Sequence, residues 1–131
     1  DEMTGHLESG HYILCDRYIE SNITYQQAKL PEKEREEFFK WLTDLEHNEL
    51  RVPVSDAVLF LRVPVDISRT NMDNREELDG HEENQNYQQE VLRSYESLAK
   101  DSDKWTIIDC TNNGEMCSRE EIHKEIYQAI Q

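Results

Sequence analysis

Residues 10–27 read GHYILCDRYIESNITYQQ. An apolar run of strand length occupies residues 11–15, and polar side chains begin directly after it with Asp16 and Arg17. Such a run is typical of a strand covered on both faces, as in a parallel sheet. Ligands of open parallel sheets bind beyond the carboxyl ends of the strands. The stretch therefore predicts a buried strand with a ligand site immediately after it.

Two further apolar runs, residues 57–63 and 105–110, have the same character and predict two more buried strands. The segments between the runs have the spacing of helices. Because buried strands alternate with helices, the sequence predicts an α/β fold with about three strands, a parallel sheet flanked by helices.

The predicted helices are amphipathic. A short helix over residues 2–9 would end at Gly10, and a helix of roughly 18 residues would follow Pro31. Ser118, followed three residues later by Glu121, predicts a capping box at the start of the last helix. Three apolar stripes mark the faces expected to be buried: Phe38, Trp41, Leu42 and Leu45; Tyr87, Val91, Tyr95 and Leu98; Ile122, Ile126 and Ile130.

Composition excludes several classes of protein. The 131 residues suit one domain, and a formal net charge of −15 argues against a nucleic-acid partner, whose phosphates need clustered Lys and Arg. No apolar run is long enough to span a membrane and no signal peptide opens the chain, which predicts no membrane partner and a cytoplasmic location. Cys15, Cys110 and Cys117 lack the spacing of metal ligands and are predicted to be buried thiols.

The pair Asp16 and Arg17 suits phosphate chemistry. An Arg side chain is a permanently charged fork that grips phosphate oxygens, while a neighbouring carboxylate can hold a metal ion or a water. An isolated Asp-Arg pair is also common as a surface ion pair. The neighbours favour the functional interpretation, because a Gly, an apolar strand, Asp-Arg-Tyr, two variable residues, Ser21 and the pair Tyr25-Gln26 resemble the pattern of thymidylate kinases.

The resemblance continues through essentially the whole chain. Residues 50–56 resemble the Pro-x-Pro-Asp entry to the next strand of that family, with Ser55 in place of the second Pro. A mobile lid, over about residues 69–84, is implied by Arg69, Arg75, Asp79 and Glu82. The resemblance thus implies that residues 1–131 are the C-terminal part of a three-layer P-loop kinase fold.

The resemblance also implies roles for the site residues. Arg17 would bind the phosphate of the acceptor nucleotide, and Asp16 would hold Mg²⁺ or a water bound to it. Ser21 would support the loop, while Asn22 and Gln26 would read the base edge. The remaining roles concern sugar and donor: Tyr25 would pack below a deoxyribose, Glu82 would reach the sugar hydroxyl or the metal, and Arg69 and Arg75 would face ATP. Arg75 lies among acidic residues, and simple charge balance explains it equally well on composition alone.

The implied reaction is ATP + dTMP to ADP + dTDP, in dTTP biosynthesis, by a homodimer joined through the helix that carries Phe38, Phe39 and Trp41. A kinase of this type needs the phosphate-cradling loop G-x-x-x-x-G-K-[ST], and none of the four glycines begins one. We therefore expect that about 70 to 80 residues, the size of two strands with their helices, precede this stretch, and that the chain alone is inactive. A deoxynucleoside kinase and a non-catalytic nucleotide-binding module are the alternatives.

Overall fold

A computed structural model describes the backbone of residues 2–72 and 81–131, and the side chains of residues 2–70 and 85–131. Two compact units divide the chain: Asp1–Ser55 is the first and Asp56–Gln131 the second. The two units are described in turn.

The regular secondary structure of the first unit is all helical within its described residues. Its elements are α1 (Glu2–Glu8), α2 (Ile19–Gln27) and α3 (Glu32–Asp44), and α3 continues into a π-helical turn over Leu45–Glu49. Gly10 has a φ of 80°, which only glycine adopts at little cost, and it follows α1 as predicted. The predicted helix after Pro31 is confirmed by α3 and the turn that extends it.

Apolar side chains from α2 and α3 form the core of the first unit. Ile19, Ile23 and Leu42 are buried there. The buried face of α3 is narrower than its apolar stripe predicts, because the Trp41 side chain is 57% exposed. Phe38 contacts Trp41, with their ring centroids 5.8 Å apart, at the edge of this core.

The prediction of a strand over residues 11–15 is wrong. This stretch is extended but joins no strand in the described residues, and its Tyr12 and Leu14 side chains are 104% and 94% exposed. A strand exists only when a neighbour accepts and donates its backbone hydrogen bonds. No described segment of the first unit does so. Cys15 is therefore exposed rather than buried, contrary to the prediction for this thiol.

The second unit contains the sheet. Its described elements in chain order are β1 (Val58–Arg62), α4 (Val65–Met72), α5 (His81–Lys100), β2 (Trp105–Asp109), β3 (Thr111–Asn112), β4 (Glu115–Met116) and α6 (Arg119–Ala129). Strands β1 and β2 pair in parallel, from Val58 opposite Trp105 to Arg62 opposite Asp109. The second and third predicted strands are thus confirmed, as is the fold class, a small parallel sheet flanked by helices.

Phe60 is the centre of the core in the second unit. Its side chain is 8% exposed and stacks on Tyr95 of α5 with 4.9 Å between ring centroids. Trp105 contacts both rings, at 6.5 Å and 6.2 Å. Val91, one turn before Tyr95, is buried as well. The apolar stripe predicted on α5 is therefore the face that covers the sheet.

A hairpin that the sequence analysis did not predict follows β2. Strands β3 and β4 pair in antiparallel orientation around Asn113 and Gly114, whose φ angles are 51° and 80°. Two positive φ angles in a two-residue loop are the geometry that Asn-Gly favours in hairpins. The loop after β2 therefore turns back on itself within four residues of the strand end.

The predicted capping box at the start of α6 is confirmed. The Ser118 hydroxyl accepts a hydrogen bond from the Glu121 backbone N–H at 3.1 Å, and the Glu121 carboxylate accepts one from the Ser118 N–H at 2.7 Å. These hydrogen bonds to its charged form hold the pKa of Glu121 below its usual value. The motif fixes where α6 begins, directly after β4 and Cys117.

Charged side chains cover the outer faces of the helices. Lys40 pairs with Glu36 on α3, and Arg93 pairs with Glu90 on α5, each at 2.7 Å. Exposed pairs of this kind add little to the free energy of unfolding. Among the helices of the described ranges, none combines the length and the apolar character needed to cross a membrane.

We expect Phe60→Ala to lower the free energy of unfolding by about 3–5 kcal/mol, because it leaves a cavity against Tyr95 and Trp105. Urea denaturation followed by circular dichroism measures this loss. Leu61→Ala is the matched control, since Leu61 is the next residue of β1 and is 47% exposed. A Leu61→Ala loss as large as that of Phe60→Ala would contradict the assignment of Phe60 as the core residue.

Candidate functional site

The residues that follow the extended stretch form a bend that leads into α2. Asp16 and Arg17 lie in this bend and are exposed, and Tyr18 is the residue that precedes the first turn of the helix. The sequence predicts the pair at the carboxyl end of a strand, and because residues 11–15 form no strand, it lies instead at the amino end of α2. The helix, rather than a sheet, positions these two side chains.

Arg17 has a left-handed backbone with a φ of 66°. This conformation is uncommon for a residue with a side chain and turns the chain sharply before α2. Arg51, in the loop after the π-helical turn, has a similar φ of 55°. Because two arginines of the first unit share a positive φ, the backbone conformation alone does not mark Arg17 as functional.

The Arg17 guanidinium lies over the ring of Tyr25, 5.2 Å from the ring centroid. An Arg cation above an aromatic face is stabilised by the ring quadrupole. No carboxylate within the described residues forms an ion pair with Arg17. The guanidinium is therefore oriented by an aromatic ring while its charge is not neutralised by a neighbouring acid, an arrangement suited to an anionic ligand.

Tyr18 ties the bend to a distant part of the first unit. Its hydroxyl donates a hydrogen bond to the carbonyl oxygen of Pro53 at 2.8 Å, and the sulfur of Met3 lies 3.7 Å away. Burial of the phenol is the largest cause of a raised pKa for Tyr18. Residues 18 and 53 are 35 positions apart, so this one contact fixes both the entry to α2 and the loop that carries Pro53.

The inner face of α2 is buried and its polar atoms are satisfied. Thr24 is fully buried, and its hydroxyl donates to the Ser21 carbonyl at 2.8 Å, with the Glu20 carbonyl at 3.1 Å. The Gln27 amide donates to the Arg35 carbonyl of α3 at 2.9 Å. The Gln27 bond joins α2 to α3 and restrains the rotation of α2, so the opposite face has a fixed orientation.

The outer face of α2 carries the other predicted site residues. Asn22 and Gln26 are four residues apart and exposed, so they lie one above the other on the helix. Ser21 and Tyr25 have the same spacing on the adjoining line and are half-buried. The described structure thus brings Arg17, Ser21, Asn22, Tyr25 and Gln26 together on one side of the bend and of the helix that follows it.

The predicted lid residues fall in the second unit or outside the description. Arg69 lies on α4 and is half-buried. Arg75 and Asp79 lie outside the described residues, and so does the side chain of Glu82, whose backbone belongs to the first turn of α5. The predicted roles of Arg69, Arg75 and Glu82 remain predictions.

Sequence reasoning missed one charged pair at the sheet. Arg62 and Asp109 are the last residues of β1 and β2, and two hydrogen bonds of 2.7 Å join the guanidinium to the carboxylate. Glu96 of α5 lies 3.6 Å from the same guanidinium. No sequence signal gives this pair, because it depends on the register of two strands that are 47 positions apart.

A magnesium ion is compatible with the donor atoms near Arg17. No cluster of three or more His, Cys, Asp or Glu side chains is found in the residues that the structure describes. Mg²⁺ does not need one, because it keeps several waters and is commonly held by one or two carboxylates together with substrate phosphates. Asp16, exposed beside Arg17, is a donor of that kind.

Comparison with known proteins gives a consistent result. The family model for thymidylate kinases matches residues 1–126. A thymidylate kinase of Fervidobacterium nodosum is 27% identical over 127 residues, which is 95% of this chain and 58% of the relative. A probable thymidylate kinase of Thermococcus gammatolerans is 28% identical over 125 residues, 95% of this chain and 53% of the relative. The chain thus spans a little over half the length of these two proteins.

Replacing Tyr18 tests the tether at Pro53. We expect Tyr18→Phe to lower the free energy of unfolding by about 0.5–1.5 kcal/mol, because the Pro53 carbonyl loses its donor. The raised pKa means that the neutral phenol is favoured in the folded state. The stabilisation is therefore complete below the unfolded pKa of about 10 and is lost as the pH rises through the folded value. Urea denaturation at neutral and alkaline pH measures both effects.

Tyr12→Phe is the control for this experiment, because the Tyr12 side chain is fully exposed. Its effect should stay within about 0.5 kcal/mol. If the difference between the wild-type chain and Tyr18→Phe did not shrink in alkaline solution, the hydroxyl would not be the source of the stabilisation.

Proposed function

The chain belongs to the thymidylate kinase family, and on this premise we propose that it forms the acceptor-nucleotide part of an enzyme that converts ATP and dTMP to ADP and dTDP. The observation that carries the proposal is the position of the Arg17 guanidinium over the Tyr25 ring, with no ion pair to an acid among the described residues. In this proposal residues 1–131 belong to one kinase domain, with a lid over about residues 69–84.

Arg17 is the residue that binds the acceptor phosphate. The exposed fork can donate two hydrogen bonds to phosphate oxygens, and such charge-assisted bonds are about twice as strong as neutral ones. Tyr25 supports the guanidinium from below. The cation–π contact holds the guanidinium over the ring before the ligand arrives, which reduces the entropy lost on binding.

The outer face of α2 is proposed to hold the nucleoside. Asn22 and Gln26 each carry an amide that can both donate and accept hydrogen bonds, as the edge of a thymine base requires. The exposed part of Tyr25 offers an apolar surface for a deoxyribose, while Ser21 supports the turn. The hydrogen bond from the Gln27 amide to the Arg35 carbonyl of α3 restrains the rotation of this face.

Asp16 is proposed to hold Mg²⁺ or a water bound to it, and that ion would neutralise charge on the phosphates. Arg69, Arg75 and Glu82 are proposed to act from the lid, the two arginines on ATP and Glu82 on the sugar hydroxyl or the metal. Arginines that approach the transferred group can raise the rate by about a thousand-fold or more. Asp16 and Arg17 act on the acceptor side of the same reaction.

Turnover by the 131 residues alone should be negligible. They contain no G-x-x-x-x-G-K-[ST] loop to cradle the phosphates of ATP. The chain is therefore expected to bind dTMP without hydrolysing ATP.

Dimer formation through α3 is proposed as well, because the exposed Trp41 is the kind of aromatic side chain that an interface buries.

Calorimetric titration with dTMP and with thymidine tests the role of Arg17. We expect Arg17→Gln to weaken dTMP binding by about 10- to 100-fold, the equivalent of a charged hydrogen bond of roughly 1.5–3 kcal/mol. Thymidine binding should be unchanged, because thymidine has no phosphate. A coupled assay for ADP formation, run on the same samples, should give no signal.

Arg51→Gln is the matched control, since Arg51 is also an exposed arginine with a positive φ in the first unit. It should leave dTMP affinity unchanged. Equal weakening of dTMP and thymidine by Arg17→Gln, or no dTMP binding by the wild-type chain, would contradict the proposal. Tighter binding of thymidine than of dTMP would favour a deoxynucleoside kinase.

A further inference from the structure

Two cysteines face each other across the hairpin of the second unit. The pairing of Thr111 with Met116 and of Asn112 with Glu115 places Cys110 opposite Cys117 in the next position of the ladder. A hydrogen bond of 2.8 Å from the Cys117 N–H to the Cys110 carbonyl extends the ladder to this pair. Side chains of directly opposite residues point to the same face of an antiparallel pair. The two thiols are therefore neighbours.

The spacing of such a pair suits a disulfide. Cys110 and Cys117 share one backbone hydrogen bond, while the Cys110 N–H donates to the Arg62 carbonyl of β1. Directly opposite residues of an antiparallel pair have Cα atoms about 4.5–5.5 Å apart, and disulfides form when Cα atoms are about 4.4–6.8 Å apart. Oxidation therefore requires rotation of side chains and little movement of the backbone.

The two thiols differ in exposure. Cys110 is 2% exposed, and its thiol donates a hydrogen bond to the Ile108 carbonyl at 3.6 Å. Cys117 is half-buried and lines an open pocket of about 430 Å³. A small molecule can reach Cys117 from this pocket, whereas Cys110 is buried and does not line it.

Acidic side chains surround the pocket. Asp109, Glu121 and Glu125 line it together with one lysine, Lys124. Burial is the largest cause that raises the pKa of the Cys117 thiol, and these three carboxylates raise it further. A raised pKa lowers the thiolate fraction at neutral pH. The reaction of Cys117 is therefore expected to be slow. The surrounding carboxylates favour a reagent that carries positive charge.

We propose that Cys117 and Cys110 form an oxidisable pair that exchanges slowly with small disulfides, prefers cationic ones, and closes to a reversible disulfide across the hairpin. The Cys117 thiolate, after loss of its proton, attacks one sulfur of the reagent, whose sulfur–sulfur bond breaks. The released thiolate takes up a proton. The Cys110 thiolate then attacks the Cys117 sulfur and releases the second small thiol. Two protein thiols lose two electrons in total, and one disulfide is reduced to two thiols.

Closure would join the end of β2 to the residue that precedes the capping box of α6. The new bond would restrict the movement of Cys117 and so of the part of the pocket wall that Cys117 forms. This pair lies in the second unit, away in sequence from the residues proposed to bind dTMP. The inference therefore holds whether or not the nucleotide proposal does.

Cystamine, a small disulfide with two ammonium groups, is the probe for the experiment. The reduced chain is incubated with it, unfolded, alkylated and examined by intact mass and peptide mapping. We expect a Cys110–Cys117 bridge, a cystamine half on exposed Cys15, protection of all three thiols from alkylation, and their full recovery after dithiothreitol. Dithiodiglycolate, of similar size with two carboxylates, should react about tenfold more slowly, because local charge changes association rates by that order or more.

Two variants separate the two steps. Cys110→Ser should stop the reaction after the first one and retain a single cystamine half on Cys117. Cys117→Ser should leave Cys110 unmodified while Cys15, exposed in the first unit, still reacts. Glu125→Gln should reduce the preference for the cationic reagent, since it removes one pocket carboxylate.

Peptide mapping of the wild-type chain needs no variant, so the result does not depend on whether Cys110→Ser folds. A stable cystamine adduct on wild-type Cys117, a bridge from Cys15 to Cys117, or alkylation of both Cys110 and Cys117 after cystamine would each overturn the proposal. Faster reaction with dithiodiglycolate than with cystamine would overturn its charge selectivity.

Discussion

The candidate site depends on the hydrogen bond between the Tyr18 hydroxyl and the Pro53 carbonyl. The first unit has no sheet among its described residues, and this contact joins two of its loops across 35 positions. It fixes the residue from which α2 starts. Arg17, the preceding residue, can therefore keep a left-handed backbone and a fixed position over Tyr25. Each later step of the proposed chemistry depends on that orientation.

Helix α2 has a structural side and a ligand side. Ile19, Ile23 and Thr24 are buried on its inner side, where the Thr24 hydroxyl bonds to carbonyl groups of its own helix. This local bonding satisfies a fully buried polar group, which would otherwise cost free energy. Asn22 and Gln26 are exposed on the outer side. Substitutions of these two residues can change ligand recognition with little effect on folding, whereas substitutions on the inner side affect both.

Sequence patterns predicted those features that depend on neighbouring residues. The apolar stripe of α5 and the capping box of Ser118 and Glu121 are local, and both form. The runs around Phe60 and Ile108 become strands because each supplies the other with backbone partners. The run over residues 11–15 has the same composition, yet a strand also needs a neighbour that no local pattern contains. The family pattern predicted that Arg17 and Tyr25 belong to one site. The contact between their side chains depends on a bend, and no periodic pattern in the sequence predicts the φ angles of that bend.

The extended stretch over residues 11–15 has a consequence for behaviour in concentrated solution. Its exposed Tyr12 and Leu14 offer an apolar edge on which a second molecule could add a strand. The net charge of −15 opposes such an encounter by repulsion between molecules. This repulsion weakens in salt, where the screening length is about 8 Å at physiological ionic strength, and vanishes near the isoelectric point of 4.6. Colloidal stability is therefore electrostatic in origin, and mildly acidic, salty buffers are the conditions in which the protein should precipitate.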